Sequence, residues 1–407
     1  MNNKTVSIIG LGYIGLPTAA LLASRGYTVK GVDVDDEVIS TINKGNVHIV
    51  EPELDMFVKS AVSSGLLVAS KKPQLADIYM ICVPTPFHSS DGEYPKPNID
   101  FVIESAKNIA PLVKNDDLII LESTSPVGTT EKVLSTIKQL NKDLDNIYIA
   151  YCPERVLPGK IMTELIENDR IVGGTSSNST KEAADFYRSF VTGNVYETDS
   201  KTAEMCKLTE NSYRDINIAF ANELSMLCDK ENIDVWNLIS LANKHPRVNI
   251  LQPGAGVGGH CIAVDPWFII SRDPTNSKLI KTAREVNNYK SQWVLNKIKT
   301  QILNYEEKFK RKPKVACFGL AFKANIDDLR ESPALEIATN LISEEYDIVV
   351  VEPNVKQHSL FNIVSIDQAF SNSDIFIILV KHKEFIETNV KKTLSSLNVL
   401  DFCGALN

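Results

Sequence analysis

Cys261 is the residue in this chain best suited to covalent chemistry. It lies in Gln252–Phe268, QPGAGVGGHCIAVDPWF, after the glycines Gly254, Gly256, Gly258 and Gly259, with His260 beside it and the carboxylate of Asp265 four residues on. Glycines let a backbone bend tightly and approach a ligand closely, and a thiolate is a strong nucleophile toward a carbonyl carbon. A plain reading stands beside this one, because cysteine also serves as a small buried hydrophobe. Asp265 likewise has two readings, since an acid directly before Pro266 can simply cap a helix with proline at its first position. A second constellation is Lys207, Asn211 and Arg214, spaced i, i+4 and i+7 in a stretch without Gly or Pro, so one helix face carries all three. A solvated face would carry Glu–Lys pairs; a Lys-Asn-Arg row suits an anionic or oxyanionic ligand. Glu154 and Arg155 follow an apolar run, where they form either a surface pair of little worth or part of a site. His245 and Arg247 sit in the polar loop LANKHPRVN that leads into the thiol segment.

These groups need elements to hold them. Lys4–Gly10 is a short β-branched run, and Gly10, Gly12 and Gly15 follow in G-x-G-x-x-G spacing before an Ala/Leu-rich helix. A second strand, Thr28–Val32, ends at Asp33. Strand, glycines, helix and acid together form the dinucleotide fingerprint: the glycines admit a pyrophosphate at the helix N-terminus, and Asp33 accepts from a ribose, which favours NAD over NADP. Two further buried strands end in ADIYMICVPTP and DLIILESTSPVG, so Thr85 and Thr124 fall at the ligand-binding edge of a doubly wound sheet. A polar helical region spans Asp35–Gly65, one long helix runs from Ser200 to about Lys230 with Asp199 or Ser200 as its cap, and a helix-rich connector spans Asn276 to about Lys310.

From Pro313 the order strand, glycine, helix, strand-ending-in-acid recurs, with Glu352 where Asp33 stood. Only Gly319 of the glycine set remains, and an insertion with Phe322, Lys323 and Arg330 replaces the others, which points away from a dinucleotide and toward a nucleotide gripped by Lys323. The expected architecture is α/β: two Rossmann-like doubly wound domains, 1–198 and 312–407, joined by a central helical domain, 199–311, built on one long helix. Length fits several domains. A net charge of −8 without a Lys/Arg cluster excludes a nucleic-acid binder. Seven scattered cysteines without C-x-x-C spacing fit reduced thiols rather than disulfides or zinc, so no metal is expected. With no signal-like N-terminus and no apolar run near membrane-spanning length, the expected location is the cytoplasm.

GLGYIGLPTA, ESTSPVG, YCPERVLPG, AEMCKLTENSYRDINIAFANEL, GVGGHCIAVDPWF and GLAFKANIDDLRESPA, in this order, resemble the UDP-glucose/GDP-mannose dehydrogenase family over essentially the full chain. HPRVNILQPG and YCPERVLPG point to its amino-sugar branch. The resemblance implies NAD-dependent four-electron oxidation of a UDP-sugar's C6 alcohol to a carboxylate, with Cys261 as nucleophile through a thiohemiacetal and a thioester. It places Lys207 and Asn211 at the oxyanion, with acid/base work for Lys207, and Asp265 and Glu154 at water activation. Arg155, Val156, Arg214, His245, Arg247, Gly258, Phe322 and Lys323 fall at nucleotide-sugar positions, alongside Lys207 and Asn211. Tyr13, Ile14, Asp33, Thr85, Thr124 and Arg330 fall at NAD positions. It also implies a homodimer in which Arg247 acts across the interface. A two-electron β-hydroxyacid dehydrogenase shares the first domain and a Lys–Asn helix, but has no use for Cys261 or the third block.

Overall fold

Two sheets carry the chain, and each is founded on a buried apolar strand followed by a glycine with positive φ, Gly10 in one and Gly319 in the other. The computed structural model describes residues 4–88, 94–157, 159–259 and 261–407. The chain divides into two compact units, Met1–Thr209 and Glu210–Asn407.

In the first unit the strands are β1 (Thr5–Ile9), β2 (Thr28–Val32), β3 (Leu67–Ser70), β4 (Ile78–Ile81), β5 (Leu118–Leu121), β6 (Tyr148–Tyr151), β7 (Arg170–Gly174) and β8 (Val195–Asp199). They lie in the order β3-β2-β1-β4-β5-β6-β7-β8. All neighbours pair in parallel except β6 and β7, which are antiparallel. Every residue of β4 and β5 is buried, because helices cover both faces of a doubly wound sheet, and this is why those strands read as unbroken apolar runs. Strand order reverses between β1 and β4, which makes the carboxyl ends there the ligand edge. The stretch expected as one helical region forms two helices, Asp36–Asn43 and Leu54–Ser63, separated by a turn at Gly45 with φ 75°.

A helix of 32 residues, Ser200–Glu231, continues from β8 and is shared by the two units. Asp199 caps it, accepting from Thr202 N at 3.0 Å and Thr202 Oγ1 at 2.6 Å. Within the first unit, the buried carboxylate of Glu204 accepts from Gly128 N, Thr130 N and Thr130 Oγ1, thereby holding the start of the helix Thr129–Leu140.

The second unit carries β9 (Val315–Phe318), β10 (Ile348–Val351), β11 (Ile375–Ile378) and β12 (Val399–Asp401), parallel and ordered β10-β9-β11-β12. The connector is a single helix, Lys278–Phe309, whose Val294, Leu295, Ile298 and Ile302 join one apolar core with Val315, Cys317 and Ile377 of the sheet. Both glycine loops use the acid after the second strand in the same way: Leu11 N donates to Asp33 Oδ2 at 2.9 Å, and Leu320 N donates to Glu352 Oε2 at 2.7 Å. Glu352 is also bonded by Ala321 N, Asn354 N and His382 Nε2 and is 3% exposed. Burial pushes its pKa up, yet the hydrogen bonds from His382, Leu320 and Asn354 outweigh that and hold it at about 2. Glu352 is an internal loop brace, whereas Asp33 is only half-buried.

Candidate active site

The cofactor side lies in the first unit. A Cβ on Gly15 would stand 1.8 Å from the carbonyl oxygen of Gly10, and one on Gly10 would stand 2.7 Å from that of Cys82, so both positions admit only glycine. Gly12 is different, with nothing within 4 Å of its Cβ position, so the loop's open side is left for a ligand to approach the backbone. The helix Gly15–Ser24 begins after Ile14 without a side-chain cap and without an acid in its first turn. Its first turn thus sets no carboxylate of its own against the N-terminal N–H groups, which suits a pyrophosphate. Tyr13 is 41% exposed at the same turn. Thr85 is buried, and its hydroxyl donates to the Thr124 carbonyl at 2.7 Å, tying the ends of β4 and β5 together. These features fit NAD.

Glu154 follows β6 and is 8% exposed. Its Oε2 accepts from Arg155 N at 2.7 Å and from Arg170 Nη1 at 3.1 Å. Its ion-pair partner is thus Arg170, not its sequence neighbour. Lys207 Nζ donates to the main-chain carbonyl of Glu154 at 2.7 Å, so Lys207 and Glu154 do meet. Arg155 is half-buried, with Nη1 on the carbonyl of Asp169 at 3.3 Å, and lines a cavity with Glu167, Asn168 and Asp169. Val156 is partly buried against the first unit's core. Behind Glu154, Glu122 accepts from Tyr187 Oη at 2.6 Å and from Cys82 Sγ at 3.3 Å. Burial pushes the Glu122 carboxyl above its ordinary range, against the pull of Arg170.

The thiol side lies in the second unit. Cys261 is exposed; His260 lies outside the described residues. Its loop is held on several sides. A Cβ on Gly258 would stand 2.4 Å from the carbonyl oxygen of Glu331 and 2.8 Å from Phe322 Cβ, and one on Gly259 (φ 82°) 2.7 Å from the Phe322 ring. Gly259 N donates to the carbonyl of Arg330, Ser291 Oγ to that of Ala255, and Arg284 Nη1 to that of Ile262. After the thiol, Asp265 N donates to the Cys261 carbonyl at 2.8 Å and opens the helix Asp265–Arg272. The cap residue of that helix is Val264, so Asp265 does not cap it. Its carboxylate, 3% exposed, instead accepts from Asn211 Nδ2 at 2.5 Å. Asn211 retains a second N–H.

The remaining predicted positions are exposed. Arg214 lies on the open side of the long helix, and His245 and Arg247 lie in the exposed stretch Lys244–Asn249, where Arg247 N donates to His245 Nδ1 at 3.3 Å. Lys323 is exposed, and Arg330 pairs with Asp328 at 2.6 Å. Among the described residues, no group of three or more His, Cys, Asp or Glu could hold a metal ion, and no helix is long and apolar enough to cross a membrane.

Three consecutive segments match the UDP-glucose/GDP-mannose dehydrogenase family: its NAD binding domain over residues 4–191, its central domain over 201–289 and its UDP binding domain over 316–407. The chain belongs to that family. It is accordingly an NAD-dependent oxidoreductase whose residues 316–407 match a UDP binding domain. The UDP-N-acetyl-D-mannosamine dehydrogenase of Campylobacter jejuni is 53% identical, covering 96% of this chain and 98% of the relative. An NDP-N-acetyl-D-galactosaminuronic acid dehydrogenase of Ralstonia nicotianae is 49% identical, with coverages of 98% and 96%. The solved UDP-N-acetyl-mannosamine dehydrogenase of Staphylococcus aureus has a TM-score of 0.87 at 39% identity, covering 99% of this chain and 95% of that one.

Sequence reasoning missed the residues that hold the site's residues. Asp215 and Arg284 form a buried ion pair at 2.9 Å, and Asn287 Nδ2 donates to the same Asp215 oxygen at 2.7 Å. Asn222 accepts from Gly254 N and donates to Asn287. Asp215 and Asn222 are seven apart on the long helix, and Arg284 and Asn287 three apart on the connector helix. A polar residue repeating at helical spacing among apolar ones was the available signal.

Proposed function

We propose that this chain oxidises UDP-N-acetyl-D-mannosamine at C6 to UDP-N-acetyl-D-mannosaminuronate, supplying a uronic-acid sugar for bacterial surface polysaccharide. The observation that carries the reading is the setting of Cys261: an exposed thiol on a loop clamped by Phe322, Glu331 and Arg284, joined through Asp265 to the amide of Asn211. The mannosamine substrate is taken from the names of the most similar relatives.

NAD, when bound, removes hydride from the substrate, twice per turnover. The chain's own groups do the rest. Cys261 Sγ adds to the C6 aldehyde to give a thiohemiacetal, and after the second oxidation the carbonyl is held as a thioester. Lys207 and the second N–H of Asn211 donate to the oxygen on which charge develops, and Lys207 moves the C6 hydroxyl proton. Glu154 and Asp265 serve the water that hydrolyses the thioester. Asp33, Tyr13, Ile14, Thr85, Thr124 and Arg330 bind NAD; Arg155, Val156, Arg214, His245, Arg247, Gly258, Phe322 and Lys323 hold the nucleotide sugar. By role the chain divides at 198/199 and 311/312.

Tyr213, Phe220 and Leu227, seven residues apart along the long helix, are 67%, 56% and 55% exposed. This apolar stripe supports a homodimer, in which the exposed Arg247 loop serves the partner's site, and reduced thiols with an NAD requirement support the cytoplasm as its location. The test is NADH release over a panel of UDP-sugars. Two NADH per acid formed, fastest with the N-acetylmannosamine substrate, is the expected result; one NADH per product refutes it. Preference for N-acetylgalactosamine would move the chain toward the function its Ralstonia relative is named for. Cys261→Ser is expected to abolish acid formation while leaving NAD affinity intact.

A further inference from the structure

We propose that Arg170 is the positioning residue for thioester hydrolysis: it orients the carboxyl group of Glu154 with one oxygen reserved for the attacking water. The inference rests on the thioester reading above.

The placement follows from the one antiparallel pairing in the first sheet. Tyr151 stands opposite Gly173, and each step forward along β6 is a step back along β7. Glu154, three residues past Tyr151, therefore falls opposite Arg170, three residues before Gly173. The ion pair of 3.1 Å is the result. Both donors to Glu154, Arg155 N and Arg170 Nη1, fall on Oε2, while Oε1 is buried and has no hydrogen-bond partner among the described residues. A buried carboxylate oxygen without a donor is costly unless something occupies it, and a water is the small donor that hydrolysis requires. Arg170 is itself 1% exposed, fixed through Nη2 to the Leu165 carbonyl at 2.9 Å, with its guanidinium 5.8 Å from the centre of the Tyr187 ring. It cannot swing away, so the orientation of Glu154 is set before substrate arrives.

In the step served, the water oxygen bonds the thioester carbon and one water proton passes to Glu154 Oε1. The C–S bond breaks with its electron pair on Cys261 Sγ, and the acid leaves as a carboxylate after losing its second proton to solvent. Nothing is oxidised.

The experiment mixes UDP-N-acetyl-D-mannosamine and NAD with wild type, R170M, R170K and E154Q, following NADH by stopped flow and the chain by intact mass. R170M is expected to release a burst of nearly two NADH per subunit, then turn over about 10²-fold more slowly while carrying a sugar-acyl adduct at Cys261. R170K, which keeps the buried charge but not the planar fork, is expected to show a smaller slowing with the same adduct, and carries the test if R170M does not fold. A folded R170M or R170K that turns over at the wild-type rate, or slows without an adduct while E154Q accumulates one, overturns the role of Arg170. Absence of an adduct in E154Q as well overturns the thioester reading on which it rests.

Discussion

Asn211 Nδ2 donates to Asp265 Oδ2 at 2.5 Å, with both residues buried and 54 positions apart. A charge-assisted bond of this kind fixes the amide plane and with it the direction of the amide's second N–H. Asn211→Ala is expected to lower kcat by about 10²- to 10³-fold, the usual loss for one oxyanion donor. Asn211→Asp sets two carboxylates in contact, so one must take up a proton; its residual activity should rise on acidification as that proton is taken up. A pH–kcat series on the two variants checks both.

The ion pair of Asp215 and Arg284 holds the long helix to the connector helix beneath the thiol loop. Burial pushes Asp215 up to about 6 and pulls Arg284 down, so both charges bear a desolvation cost that their pairing offsets. Arg284→Met should destabilise the chain by about 3–5 kcal/mol by stranding the carboxylate, and adding Asp215→Leu should restore much of that. Urea midpoints of the single and double variants test the coupling.

Gly258→Ala places a Cβ 2.4 Å from the Glu331 carbonyl, a backbone atom that cannot step aside. The thiol loop must move, and a displacement near 1 Å costs on the order of 10² in rate. Expected is a fall of that size in kcat/KM with unchanged NAD affinity by calorimetry.

Lys290 is 2% exposed, bonded to Ser225 Oγ at 2.7 Å and set 4.0 Å from the centre of the Trp293 ring. Burial pulls its pKa down to about 7 against the attraction of Asp229. The folded value lies below the unfolded one, so between them the unfolded chain binds the extra proton, and stability rises with pH. From about pH 7 to 9 this group should add about 1.4 kcal/mol per pH unit. Lys290→Met should lose that slope in urea midpoints measured across the range.

The glycine spacing at Gly10, Gly12 and Gly15, the acid at Asp33 and the second strand–glycine–acid block at Gly319 and Glu352 were all legible in the chain. So was the long helix, which begins within a residue of its expected start. These features are local: a positive φ, a β-branched run and a cap depend on near neighbours. Side-chain partnership was not legible. Glu154 looked like half of a pair with Arg155, but β7 runs antiparallel to β6 and brings in Arg170. Asp265 reads equally well as cap or site residue; the helix begins at Asp265 itself, and Asn211 is among the partners of its carboxylate. Asp215 and Arg284, 69 positions apart, carried no mark of their pairing. The sequence by itself determined which stretches form strands, turns and helices and which residue types each presents. Strand register and the packing of one helix on another decided which charges meet, because those are set by the whole core at once and not by any neighbouring residue.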